Sequence, residues 1–162
     1  SGLRAEYILG DISKIKLPKR YHFATAINDC VNYIPKSKLK AAFKNVAAAL
    51  QKGGVFLFDI SSRRKFTQKI ANTVSADDRE DITYLCFNTV EDDEVTMDVT
   101  LFEKQADGSF IRKDERHVQY IYDEEEIVQA LENAGFTLVK VEGHLGEDKT
   151  LADRIFFVAQ KA

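Results

Sequence analysis

Two short apolar runs end in residues able to do chemistry. Residues 23–27 (Phe-Ala-Thr-Ala-Ile) lead into Asn28, Asp29, Cys30, Val31, Asn32 and Tyr33, and residues 55–60 (Val-Phe-Leu-Phe-Asp-Ile) carry Asp59 near their end. Open α/β sheets place ligands beyond the carboxyl ends of their strands. Asn28 and Asp29 are therefore candidate ligand contacts, against the alternative of ordinary loop polarity. Asp59 can orient a bound ligand or act as a base; its other reading is a cap for a helix starting near Ser62. His117 lies on a strand-like run with Gln119 and Ile121. It is either a mild base facing a ligand or a structural histidine. Asp11, after Gly10, either meets a ligand or bonds its own turn. Arg63 and Lys65 either bind a carboxylate or phosphate or remain solvated. His22 and His144 carry no functional expectation, and Tyr84, Tyr120 and Tyr122 read as sheet-packing aromatics. There is no Gly-x-Ser-x-Gly elbow and no phosphate loop. The three histidines form no metal-ligand cluster, so no metal site is expected.

The elements that must position these residues follow from periodicity. Residues 5–9 look like a strand stopped by Gly10-Asp11. Residues 23–27 and 55–60 lack clean alternation and read as strands buried on both faces. Between them, residues 37–50 form a helix, since Leu39, Ala42, Phe43, Val46 and Leu50 make one apolar stripe at spacings of three and four; Gly53-Gly54 is its stop signal. Strand, helix, strand implies a right-handed crossover and a parallel pair. Residues 63–71 form a short helix. Residues 83–90, 95–104 and 110–122 then read as a three-stranded antiparallel meander, turned at Glu91-Asp92-Asp93 and Asp107-Gly108. In its middle strand Val95, Met97, Val99 and Leu101 alternate with Thr96, Asp98 and Thr100. A second helix spans 123–134, with Asp123 as N-cap, Glu126 completing a capping box and Gly135 beyond the end. Residues 136–143 and 154–160 are the last two strands.

Composition bounds the rest. The chain has 162 residues, about one domain. With 44% hydrophobic and 30% charged residues it is not disordered as a whole, and two prolines and eight glycines exclude collagen-like and low-complexity classes. Against 26 acidic residues stand 23 basic ones, a net charge of −3, so there is no basic excess for binding nucleic acid. Cys30 and Cys86 are too few for a disulfide scaffold and read as buried thiols of a reducing compartment. No apolar run is long enough to span a bilayer, and the first four residues show no signal-peptide pattern. The expectation is a cytoplasmic protein without membrane or nucleic-acid partners.

The order of motifs resembles the class I S-adenosylmethionine-dependent methyltransferases. Gly10-Asp11-Ile12 is similar to the acidic turn after that family's third strand, and residues 23–33 to its fourth strand and following loop. Leu50-Gln51-Lys52-Gly53-Gly54-Val55 resembles the turn into the fifth strand, with Lys52 where proline is usual. Asn133-Ala134-Gly135-Phe136 resembles the turn into the sixth, and residues 154–159 the seventh. The closer likeness is to a small-molecule branch with an antiparallel insertion after the fifth strand. Asp29-Cys30-Val31-Asn32-Tyr33 stands where that branch has an Asp-Ser-Leu-Asn-Tyr-like segment. Glu115, His117 and Gln119 match its Glu-x-His-x-Gln segment.

This resemblance implies an α/β fold: a partial Rossmann-like methyltransferase sheet with an inserted three-stranded antiparallel meander. Residues 1–62 and 123–162 form the core and 63–122 the cap. It implies S-adenosylmethionine as cofactor, with Asp11 accepting from the adenine amino group, Ile12 framing the ring, and Asn28, Asp29 and Val31 lining the cofactor side. His117, Asp59 and Tyr33 are the catalytic candidates, and the acceptor is an O or N of a small molecule. The first strand with its glycine-rich loop and the acidic residue ending the second strand have no counterpart in the chain, so most ribose and methionine contacts are missing. Residues 5–9 are then expected to pair with a supplied neighbour or another edge. A homodimer through that edge or through the insertion stays open. The rivals are a non-catalytic binding or assembly module and a nucleic-acid methyltransferase; acidity and the lack of an Asn/Asp-Pro-Pro-Tyr-like loop oppose the latter.

Overall fold

The computed structural model describes residues 5–162; the signal-peptide reading of the first four lies outside the described residues. In chain order the elements are β1 (Tyr21–Ala26), α1 (Lys36–Ala49), β2 (Leu50–Ser61), a π-helical turn (Lys65–Ile70), β3 (Val74–Asp78), β4 (Ile82–Glu91), β5 (Glu94–Lys104), β6 (Phe110–Tyr120), α2 (Glu124–Asn133), β7 (Phe136–Gly143) and β8 (Arg154–Lys161). They build two sheets, ordered β1-β2-β8-β7 and β3-β4-β5-β6. In the first, β1 and β2 run side by side and parallel, with Phe23 opposite Val55 and Ala26 opposite Phe58. β8 is antiparallel to both β2 and β7. The α/β sheet with an antiparallel insertion is thus borne out.

Both helices cover one face of the first sheet. Leu39, Ala42 and Phe43 of α1 and Ile127, Ala130 and Leu131 of α2 close over Phe56, Phe58 and Phe157 in a single core. Phe58 stacks on Phe157 at 5.0 Å and on Phe56 at 4.7 Å between ring centroids. Strand side chains alternate between faces, so Asp59 stands on the side opposite Phe58 and Ile60. The aromatic packing therefore fixes the rotation of β2 and with it the direction in which Asp59 points.

Several expectations are corrected. Residues 5–9 join neither sheet, and Tyr7 and Leu9 are exposed. Without a partner strand, their backbone polar groups stay with water. Residues 23–27 are not buried on both faces: Phe23 and Ile27 are about half exposed, because β1 is an edge strand and both helices pack on the other side. α1 ends at Ala49, before the glycine pair, where Leu50 turns extended and opens β2 at once. Gly53 and Gly54 instead serve a bulge. The β1–β2 register jumps from Tyr21–Leu50 to Phe23–Val55, Gly53 takes φ +75°, and a Cβ on Gly54 would lie 2.9 Å from the Gln51 carbonyl. The insertion has four strands, not three, because β3 adds an edge of exposed residues. Cys86 is buried as expected but Cys30 is exposed, at a turn on the sheet rim.

The insertion is latched to the core by charge. Asp93, in the β4–β5 turn, receives Lys36 Nζ at 2.7 Å and Arg63 Nη1 at 2.8 Å. Arg63 also grips both Asp123 oxygens, at 2.7 and 2.8 Å, and Lys36 reaches Glu126 at 2.8 Å. Glu126 in turn accepts the Asp123 backbone N–H at 2.9 Å. Arg63 is therefore used within the protein. The hydrogen bonds from Lys36 and then Arg63 hold Asp93 below the ordinary carboxylate pKa, and the Arg63 bond does the same for Asp123. A carboxylate with a depressed folded pKa stabilises above its unfolded value, about 3.9, and that stability is lost as pH falls through the folded value. Acidification below about pH 4 is thus expected to raise amide exchange in β4 and β5 before the β2 core opens. Equal protection of both sheets down to pH 2 would show that the latch carries no weight.

Among the described residues, no helix is long and apolar enough to cross a membrane.

Candidate functional site

The carboxyl ends of β1 and β2 meet at one rim, and Asp59 organises it. Its side chain is 1% exposed. Its oxygens accept the backbone N–H of Asn28 at 2.8 Å and of Asp29 at 2.9 Å, and Arg154 Nη1 donates at 2.5 Å. The Arg154 guanidinium also contacts Asp29 Oδ1 at 3.3 Å and Asn28 Oδ1 at 3.4 Å. A buried charge needs such a set of partners. Sheet register supplies them: Arg154 pairs with Ser61 and lies diagonally from Asp59 on the same face.

The clamped loop is strained. Asn28 and Asp29 are both left-handed, at φ 60° and 52°, a region that costs most L-residues about 1–2 kcal/mol each and that Asn and Asp tolerate best. Asn28→Val is expected to destabilise by about 1–2 kcal/mol, and Asn28→Gly to stay within a few tenths. Denaturant titration of both variants checks this; equal losses would mean the conformation is not what Asn28 is there for.

Beyond the loop the chain turns through Cys30–Tyr33. Val31 is fully buried in the main core. Asn32, also fully buried, joins three elements: Ser61 N–H donates to its Oδ1 at 2.8 Å, and its Nδ2 donates to the Tyr120 carbonyl at 2.9 Å. The insertion closes over this point. Gln119 Nε2 donates to Asp29 Oδ2 at 3.0 Å, and Lys65 Nζ donates to Ser61 Oγ at 2.9 Å. Tyr33 Oη lies 3.4 Å from His117 Nδ1, and His117 Nε2 lies 3.2 Å from Glu115 Oε2. Partial desolvation pushes the Tyr33 phenol above its ordinary pKa, although the ring is 45% exposed.

Asn28, Asp29, Asp59, Tyr33 and His117 are thus brought together. Asp11 and Ile12 sit apart, on a turn fastened to α1. Asp11 Oδ1 accepts from the Ser13 amide and hydroxyl at 2.9 and 2.7 Å, which lowers its pKa to about 2. Among the described residues its Oδ2 has only Lys38, at 3.4 Å. Asn45 Nδ2 bonds the carbonyls of Ile12 and Ile15, at 2.9 and 2.5 Å, and Ile12 packs on the core. Asp11 is therefore an ionised acceptor with one oxygen nearly free. Arg154 and Asn45 were not singled out from the sequence. A cation opening a strand and an amide within a helix are unremarkable locally, and their partners lie 95 and about 30 residues away.

An open sheet whose strand-end loops are clamped into one rim, roofed by an antiparallel insertion, is the arrangement of the class I S-adenosylmethionine-dependent methyltransferase fold, and the chain has that fold. It is 29% identical to an S-adenosylmethionine-dependent methyltransferase from Clostridium acetobutylicum ATCC 824, with a TM-score of 0.91 over 99% of this chain and 66% of that one. A protein of Bacillus subtilis (strain 168) named as a methyltransferase, YqeM, is 32% identical over 83% of this chain. The S-adenosylmethionine-bound amino pentose methyltransferase CalS10 from Micromonospora echinaspora shares the fold at a TM-score of 0.73 and 23% identity, over 94% of this chain and 63% of that one. The resemblance read from the motifs is borne out. No family model matches the chain. The chain spans 65% and 56% of the two curated relatives it matches.

Proposed function

We propose that the chain is the acceptor-side part of an S-adenosylmethionine-dependent methyltransferase that modifies an N or O of a small molecule in the cytoplasm. Residues 1–62 and 123–162 belong to its core and 63–122 to its cap. The observation that carries this reading is the rim itself: Asp59 and Arg154 clamp the Asn28–Asp29 loop at two parallel strand ends, and Gln119 ties that loop to the strand on which His117 meets Tyr33. The residues fit the adenine half of the cofactor. Asp11 offers an ionised carboxylate with an underused oxygen to an amino group, and Ile12 an apolar edge. Asn28 and Asp29 shape the loop beside the cofactor, their side-chain oxygens already engaged by Arg154 and Gln119; Val31 supports them from the core and, being fully buried, makes no contact of its own with a ligand. The donor brings the reactive methyl group, and the protein's task is alignment and proton removal.

Asp59 is a positioning residue in this reading, since its oxygens already accept three hydrogen bonds. The proton acceptor is His117, with Tyr33 between it and the rim. A small acceptor agrees with the acidic chain and with the amino pentose methyltransferase among the fold neighbours. The test is to incubate the full-length protein with S-adenosylmethionine and a panel of small amines, hydroxy compounds and RNA, reading S-adenosylhomocysteine by mass spectrometry. Release that depends on an amine or hydroxy compound supports the proposal. Release only with RNA, or binding without release, replaces it with one of the two rivals.

A further inference from the structure

We infer that Glu115 is a positioning residue that fixes the tautomer of His117, so that the ring presents a bare Nδ1 to Tyr33. The inference rests on the reading of His117 as proton acceptor and deepens it. Glu115 and His117 are two apart on β6 and share a face, and Glu115 Oε2 lies 3.2 Å from Nε2. An ionised carboxylate has no proton to give, so Nε2 must donate. A neutral imidazole carries one N–H, which leaves Nδ1 as an acceptor. The group 3.4 Å from Nδ1 is the Tyr33 hydroxyl, and it must then be the donor. A phenol is protonated at neutral pH, and partial desolvation moves its pKa further up. The rings meet edge to face, 6.0 Å apart at 75°, which holds Nδ1 toward the phenol.

The line therefore has one sense, from Tyr33 Oη–H to His117 Nδ1 and from His117 Nε2–H to Glu115. A proton arriving at the Tyr33 oxygen is balanced by the phenol proton passing to Nδ1. The ring ends as imidazolium beside the Glu115 carboxylate, with Tyr33 neutral again. The other groups near this point have partners or lie farther off: the Cys30 thiol, which with the Gln119 amide also acts on Tyr33, donates to the Ile27 carbonyl at 3.0 Å. Asp29 is held by Gln119 and Arg154, and Tyr84 and Cys86 lie on β4, two strands away on the same face of the insertion.

The state of the ring is read directly by 15N–1H correlation NMR of the imidazole in the 162-residue chain, on the deprotonated ring. The expected result is a protonated Nε2 and a bare Nδ1. In E115A that preference is expected to collapse toward a mixture, whereas E115Q, which keeps an acceptor oxygen, retains it. Glu115 is exposed, so neither variant threatens the fold. A wild-type ring protonated at Nδ1, or an E115A ring unchanged from wild type, overturns the inference. Either result leaves methyl transfer by the full-length protein untouched, since that is decided by the release of S-adenosylhomocysteine.

Discussion

Asp59→Ala is expected to destabilise the chain by about 3–5 kcal/mol, the range found when one member of a buried, hydrogen-bonded charge pair is removed. The loss has three sources. The Arg154 guanidinium keeps its charge at a half-buried site without its 2.5 Å partner. The backbone N–H groups of Asn28 and Asp29 lose their acceptor; being part-buried, each costs toward the low end of the about 1–3 kcal/mol of a buried orphan. The left-handed pair is then released from the clamp that holds it. At about 2–4 °C per kcal/mol for a chain of this size, the midpoint of thermal unfolding should fall by about 6–20 °C. Asp59→Asn should fall less, since its carbonyl oxygen still serves one amide. If Asp59→Ala shifts the midpoint by under about 2 °C, the rim is not organised by this residue.

The second large effect is kinetic. His117→Ala in the full-length enzyme is expected to lower kcat by about 10²–10⁴-fold, the usual contribution of a positioned proton acceptor. The Kd for S-adenosylhomocysteine should not change if His117 serves the acceptor, as proposed. Tyr33→Phe interrupts the same line at its other member and should lower kcat in the same direction. Steady-state kinetics with the acceptor, paired with cofactor titration, separates the outcomes. Unchanged kcat in both variants would mean that the acceptor loses its proton to water and that the Tyr33–His117 contact only packs the insertion onto the core.

The sequence was most legible where local pattern and tertiary role coincide. Leu39, Ala42 and Phe43 of the apolar stripe are buried on the face of α1 that meets the sheet, while Leu50 already belongs to β2. Residues 55–60 are apolar because Phe56, Phe58 and Ile60 face the helices. The parallel pairing of β1 and β2 followed from the strand–helix–strand order. Reading failed where a residue's state depends on what lies beside it. Residues 5–9 have the composition of a strand, yet a strand exists only when another pairs with it. β3 has no apolar alternation to betray it, because it borrows its conformation from hydrogen bonds to β4.

The rim shows the same division. Asn28, Asp29 and Asp59 could be picked out because polar residues after apolar strands are conspicuous. The network that joins them could not, because Arg154 reaches Asp59 across 95 residues through the β2–β8 register. His117 and Tyr33 are likewise 84 residues apart and meet only because the insertion folds back over the strand ends. Asp59 illustrates the cost of reading one residue alone. A carboxylate at a strand end invites the role of base, and only its three donors identify it as the clamp.

The most direct measurement is amide chemical-shift mapping of the full-length protein during titration with S-adenosylhomocysteine. Saturable shifts that, within these 162 residues, include the Asp11–Ile12 turn and the Asn28–Asp29 loop and leave Arg112 and Asp114 on the outer face of the insertion unmoved are what the account predicts. Saturation with those four amides unmoved, or no binding at all, would contradict it.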